Sequence, residues 1–156
     1  MSVTKKYLLV LLIFILAAFS CLWFDQYYWQ LVGKLYLLST SNKIHFTGKP
    51  FHLFPNMYFL LSLSLFCSII TFLLINTSTK WWLLKIVITI VSFFIATAAI
   101  SYIESNSYLI ECTTCNDGTR KLSYGSIPYV KIFIESLTFS TMVFLVINRI
   151  FRSRVK

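Results

Sequence analysis

Three times in this chain the sequence runs for eighteen residues or more without a charged side chain, at Tyr7–Phe24, Phe51–Thr79 and Ile86–Ile103. About 20 apolar residues in a helix cross the hydrocarbon core of a bilayer, and water is a poor solvent for three such runs in 156 residues. A fourth apolar segment, residues 127–148, is broken by Lys131 and Glu135 alone. With 58% hydrophobic and 12% charged residues the composition lies outside the range of soluble domains. The expected fold is therefore an all-α membrane protein. It forms one domain over residues 1–156, a bundle of four transmembrane helices with spans at about 7–24, 56–76, 82–103 and 127–148, and outer loops at 25–55 and 104–126.

The segment edges carry the usual boundary chemistry. Lys5 and Lys6 precede the first span, and Trp23, Phe24, Tyr27, Tyr28 and Trp29 follow it, aromatics of the kind that settle at headgroup level. A rival reading takes the first span as a cleaved signal peptide, because Ala18-Phe19-Ser20 before Cys21 has the small-x-small pattern. Pro55 suits the start of the second span, since its missing N–H needs no partner there. The turn from Asn76 to Lys80 is short enough to make spans two and three a tight hairpin. Ser126-Ile127-Pro128 reads as an N-cap followed by proline, and Arg149, Arg152, Arg154 and Lys156 stop the last span.

The formal charge of +9 does not indicate nucleic acid, because the basic residues punctuate apolar runs instead of gathering on one solvated face. They set orientation instead. Lys5, Lys6, Lys80, Lys85, Arg149, Arg152, Arg154 and Lys156 sit in short tails and one turn, against Lys34, Lys43, Lys49, Arg120, Lys121 and Lys131 in the two longer loops. Both termini are expected in the cytoplasm, with the chain in the inner (plasma) membrane and the longer loops outside.

In the first outer loop, Gln26 to Leu38 is dense enough in apolar and aromatic residues to lie on the membrane surface as a short interfacial helix. Lys43–Phe46 and Pro50–Phe54 alternate around a glycine-containing turn and predict a small hairpin. In the second loop, Tyr108–Cys115 and Thr119–Tyr124 flank Asn116-Asp117-Gly118 and predict a second extracytoplasmic β-hairpin. The two hairpins are candidates to pair into a cap.

Cys112-Thr-Thr-Cys115 is the sharpest chemical motif. In an oxidising compartment it reads first as a structural disulfide and second as a thiol–disulfide exchange pair, which needs a thiol activated by a helix N-terminus or a cation. His45 and His52 are the residues that would complete a zinc set with these cysteines, although the spacing follows no familiar module. Glu104, Lys131 and Glu135 are charges at or inside the membrane boundary, where ionisable groups are expensive; Lys131 and Glu135 are four apart on one helix face. Ala17 with Cys21, Ser64 with Ser68, and Ser136 with Ser140 are small residues four apart that let helices approach closely in lipid. There is no Walker loop, His-Glu-x-x-His or nucleophile elbow in the sequence, and it calls for no cofactor.

Four spans with outward cysteines resemble the layout of the quinone-coupled disulfide-generating membrane proteins and vitamin K epoxide reductases. Their mechanism needs a second cysteine pair, which Cys21 and Cys67 are poorly placed to form. A further resemblance lies before the last span, where Leu109-Ile-Glu-Cys-Thr-Thr114 and Arg120-Lys-Leu122 look like the acidic-Leu-Thr-Thr stretch and basic-Leu pair of the colicin A type immunity proteins. That resemblance implies a non-enzymatic four-span inner membrane protein whose partner, besides lipid, is a membrane-inserted pore-forming toxin. A membrane thiol–disulfide oxidoreductase using Cys112 and Cys115, and an accessory subunit of a membrane complex, are the alternatives.

Overall fold

The computed structural model describes residues 3–41, 43–48, 54–76, 81–110 and 120–153. Four helices carry the chain: α1 (Val3–Ser39), α2 (Met57–Asn76), α3 (Trp82–Ile110) and α4 (Tyr129–Ser153). Each is long and apolar enough to cross a membrane, the architecture of a multi-pass membrane protein. The helices alternate in direction, so both chain ends lie at one end of the bundle, the terminal end. The connections containing strands β1 (Ile44–Thr47) and β2 (Arg120–Ser123) lie at the other, the cap end.

α1 departs most from the expected pattern. It runs unbroken for 37 residues, so no separate interfacial helix forms over 26–38. Nothing in that stretch breaks a helix: proline is absent and Gly33 stands alone. Tyr28, Val32 and Tyr36, spaced four apart, are fully buried against the bundle instead of lying along a surface. At 1.5 Å per residue the helix is about 55 Å long, against a hydrocarbon core of about 30 Å. Its last third therefore projects beyond the spans. Ser41, in the left-handed region at φ 51°, ends it, with its N–H donating to the Leu38 carbonyl. α3 likewise extends to Ile110, two turns past the expected edge at 103.

Among the described residues α1 packs on α2 and α3, and α4 packs on α3 and α2, while the sequence neighbours α2 and α3 take opposite corners. The expected tight hairpin of spans two and three is thus not a packed pair. Aromatic rings fill the centre. Phe59 of α2 stacks on Phe133 of α4 at 3.8 Å between centroids, and Tyr28 meets Phe133 edge-on at 4.9 Å. Contacts of this geometry add about 0.5–1.5 kcal/mol each beyond the area they bury.

The cap contains no antiparallel hairpin among the described residues. Tyr108–Ile110, expected to be extended, are the last turn of α3, and residues 49–53 and 111–119 lie outside the described ones. Instead β1 and β2, one from each loop, pair in parallel from Ile44↔Arg120 to Thr47↔Ser123. A parallel pair needs a long crossover, and α2 and α3 between them supply it. The pair is held by burial of Ile44 and Leu122 and by Phe46 stacking on Tyr124 at 4.5 Å.

Gly33 is where the cap locks onto α1. A Cβ built there would stand 3.0 Å from the Tyr124 ring, so any side chain forces that ring to shift by a few tenths of an ångström. Helix propensity disfavours glycine by about 1 kcal/mol against alanine, a cost accepted here for the close approach. Gly33→Leu is expected to lower stability by roughly 1–3 kcal/mol, the usual cost of overpacking, and Tyr124→Ala in the same chain to recover part of the loss. Thermal unfolding of the purified protein in detergent measures both.

Candidate functional site

The bundle interior holds polar side chains at three levels. At the cap end Asp25 of α1 has no exposed surface, and its Oδ2 accepts the Asn56 backbone N–H at 3.0 Å. Asn56 caps α2, its Oδ1 accepting the Tyr58 N–H at 2.9 Å. The Tyr129 side chain lies close enough to Asp25 to interact with it electrostatically, and the Tyr129 ring stacks on Trp29 at 5.4 Å. One carboxylate therefore ties together the start of α2, the start of α4 and the middle of α1. The free N–H groups and positive dipole end of α2 offset part of the cost of burying it.

At mid-height a chain of hydroxyls crosses the bundle. Tyr28 Oη lies 3.2 Å from Thr97 Oγ1, which donates to Ser136 Oγ at 3.2 Å, and Ser136 donates to the Ile132 carbonyl at 2.7 Å. Ser140 donates back to the Ser136 carbonyl. Nearer the cap, Ser39 of α1 contacts Ser105 of α3. α3 supplies its share because Lys85, Thr89, Phe93, Thr97, Ser101 and Ser105 recur at four-residue spacings and form its buried face.

At the terminal end the third level is Lys85, fully buried, its Nζ donating to Asn148 Oδ1 at 2.7 Å and standing 6.0 Å from the Phe151 ring centroid. Trp81 packs on the same ring at 6.3 Å. An amide oxygen and an aromatic face are what a buried ammonium needs when no carboxylate is near.

Of the residues singled out from sequence, Glu104 and Lys131 are brought together as an ion pair between α3 and α4. Lys131 is more than half exposed, so solvent screens the pair and it contributes little to stability. Glu135 is exposed and stands outside the interior. Ala17, Ser64, Ser136 and Ser140 are buried, Ser68 is half-buried, and Ser64 and Ser68 donate to carbonyls one turn back on α2. Cys21 and Cys67 are free thiols within α1 and α2. Cys112, Cys115 and His52 lie outside the described residues, and His45 is exposed on β1. Among the described residues no group of three metal-ligating side chains converges. Asp25, Tyr28, Thr97, Lys85 and Asn148 belong to no sequence motif that marks a site. The four-residue polar spacing along α3 was the available signal for two of them.

Asp25→Ala is expected to destabilise by roughly 3 kcal/mol, about the size of one or two hydrogen bonds to a charged group. Glu135→Gln should stay within about 0.5 kcal/mol. Reversible denaturation in mixed micelles separates the two. No known protein family, curated protein or solved structure matches the chain.

Proposed function

We propose that this chain is an inner membrane protein with four spans and cytoplasmic termini that acts without catalysis, by contact with another membrane-embedded protein. Immunity to a pore-forming bacteriocin is its specific role. The observation that supports this is where the polar groups go. Thr97, Ser136, Ser64 and Lys85 are spent on contacts within the bundle, while the outward faces are apolar. α1 presents Leu8, Leu11, Ile15 and Phe19, and α2 presents Leu61, Leu65, Ile69 and Phe72. Recognition at such faces proceeds by close packing in lipid, which suits a partner that inserts helices into the same bilayer. The short acidic-to-basic stretch before α4, Glu111-Cys-Thr-Thr114 with Arg120-Lys-Leu122, adds the resemblance to the colicin A type immunity proteins.

The test is expression of the chain in a sensitive bacterial host exposed to a panel of colicin A type pore formers. Protection shows as survival and retained potassium against at least one toxin, and it persists when Cys112 and Cys115 are both replaced by serine. Killing by every member of the panel, with abundant protein in the membrane, contradicts the reading. Loss of disulfide formation in the serine variant would favour the oxidoreductase instead.

A further inference from the structure

α1 and α3 are joined at mid-height by Tyr28–Thr97 and nearer the cap by Ser39–Ser105, and toward the terminal end from these contacts a cavity of about 250 Å³ opens, lined from all four helices. Its wall is apolar, formed by Phe24, Leu63, Thr89, Ile90, Phe94 and Leu137 among others. Ile90 and Phe94 are half exposed at its mouth, so it faces the membrane interior. One turn of an α-helix with its side chains, about 10 Å across and 5.4 Å high, occupies roughly 400 Å³. A partner helix does not fit, whereas a segment of a thinner acyl chain does.

Charge selects the lipid. On α1, Lys5, Leu9, Leu12 and Leu16 follow one another on one face, with shallow apolar grooves along them up to Phe24, which also lines the cavity. Lys5 is exposed at the terminal end of this track. On α3, Lys85 lies one turn before Thr89, roughly 6 Å along the axis, and adds a fixed buried positive charge held by a neutral amide. The acids of the described residues, Asp25, Glu104 and Glu135, all stand toward the cap end. We propose that this cleft binds one anionic phospholipid, its headgroup drawn by Lys5 and the charge of Lys85 and one acyl chain lying in the cavity.

The test places a reporter at the mouth with Ile90→Trp and reconstitutes the full chain in phosphatidylcholine vesicles containing acyl-brominated phosphatidylglycerol or acyl-brominated phosphatidylcholine. Quenching is read against the same protein with Ile90 intact. Brominated phosphatidylglycerol is expected to reach half-quenching at about fivefold lower mole fraction, the ratio equivalent to about 1 kcal/mol for a basic residue at an anionic surface. Lys5→Gln removes most of that preference, and adding inorganic phosphate leaves it intact. Equal quenching by the two lipids overturns the proposal, as does a preference that survives Lys5→Gln combined with Lys85→Met. Abolition by inorganic phosphate identifies a free anion as the ligand, and quenching by neither lipid identifies a protein segment in the cleft; either result refutes the proposal. Should Lys85→Met fail to fold, the comparison of lipids on the Lys5 variant alone decides.

Discussion

A carboxylate sealed from solvent must find its compensation inside the protein, and around Asp25 three helices are arranged to provide it. The N-terminus of α2 offers a backbone N–H and the positive end of its dipole, and α4 brings the polar side chain of Tyr129 close by. Because these groups come from different elements, their convergence fixes the height of α2 and α4 against α1. With that height set, the rings of Tyr28, Phe59 and Phe133 meet at one level, and Thr97 and Ser136 fall within hydrogen-bond reach of each other. In hydrocarbon, where apolar packing supplies little net drive between helices, such polar contacts each contribute about 0.6 kcal/mol.

The cap depends on the same register. α1 and α3 continue past the spans in parallel, and the sheet is parallel because its strands are separated by two antiparallel membrane helices that together make a crossover. The two outer loops, each patterned for a local hairpin, are thus coupled to each other. Tyr124 follows β2 directly and lies on Gly33, so strand pairing, helix packing and entry into α4 are linked within a few residues.

The apolar runs made the four helices legible in the sequence, since length and the absence of charge are local properties. The α2 boundary at Met57 followed from Pro55, and the α3 start from the Trp81-Trp82 pair. Where a residue's partner is distant in the chain, the local sequence carries no such signal. Asp25 looked like the end of a span because a charge normally marks an interface, and its compensation by Asn56 and Tyr129 has no local signature. Tyr28 and Trp29 read as headgroup aromatics, yet they face inward because α1 does not stop at the interface. The loop alternation was visible at Ile44–Thr47 and Arg120–Ser123, but which strand each would meet was set by the helices between them. Lys85 was read as a topology signal, and its burial against Asn148 depends on α4, 63 residues away.

α1 is one continuous helix whose last third carries the cap. Spin labels placed singly from Leu8 to Leu38 in vesicles, with accessibility to oxygen and to a water-soluble nickel chelate, test this directly. The structure predicts oxygen access dominating up to about Tyr27, then chelate access at Lys34 and Leu38, with protection at Val32 and Tyr36 recurring at the helical period. A constant shallow depth for every label from 28 to 38 would show a helix lying in the interface, and would contradict the fold on which the Asp25 contacts and the cap rest.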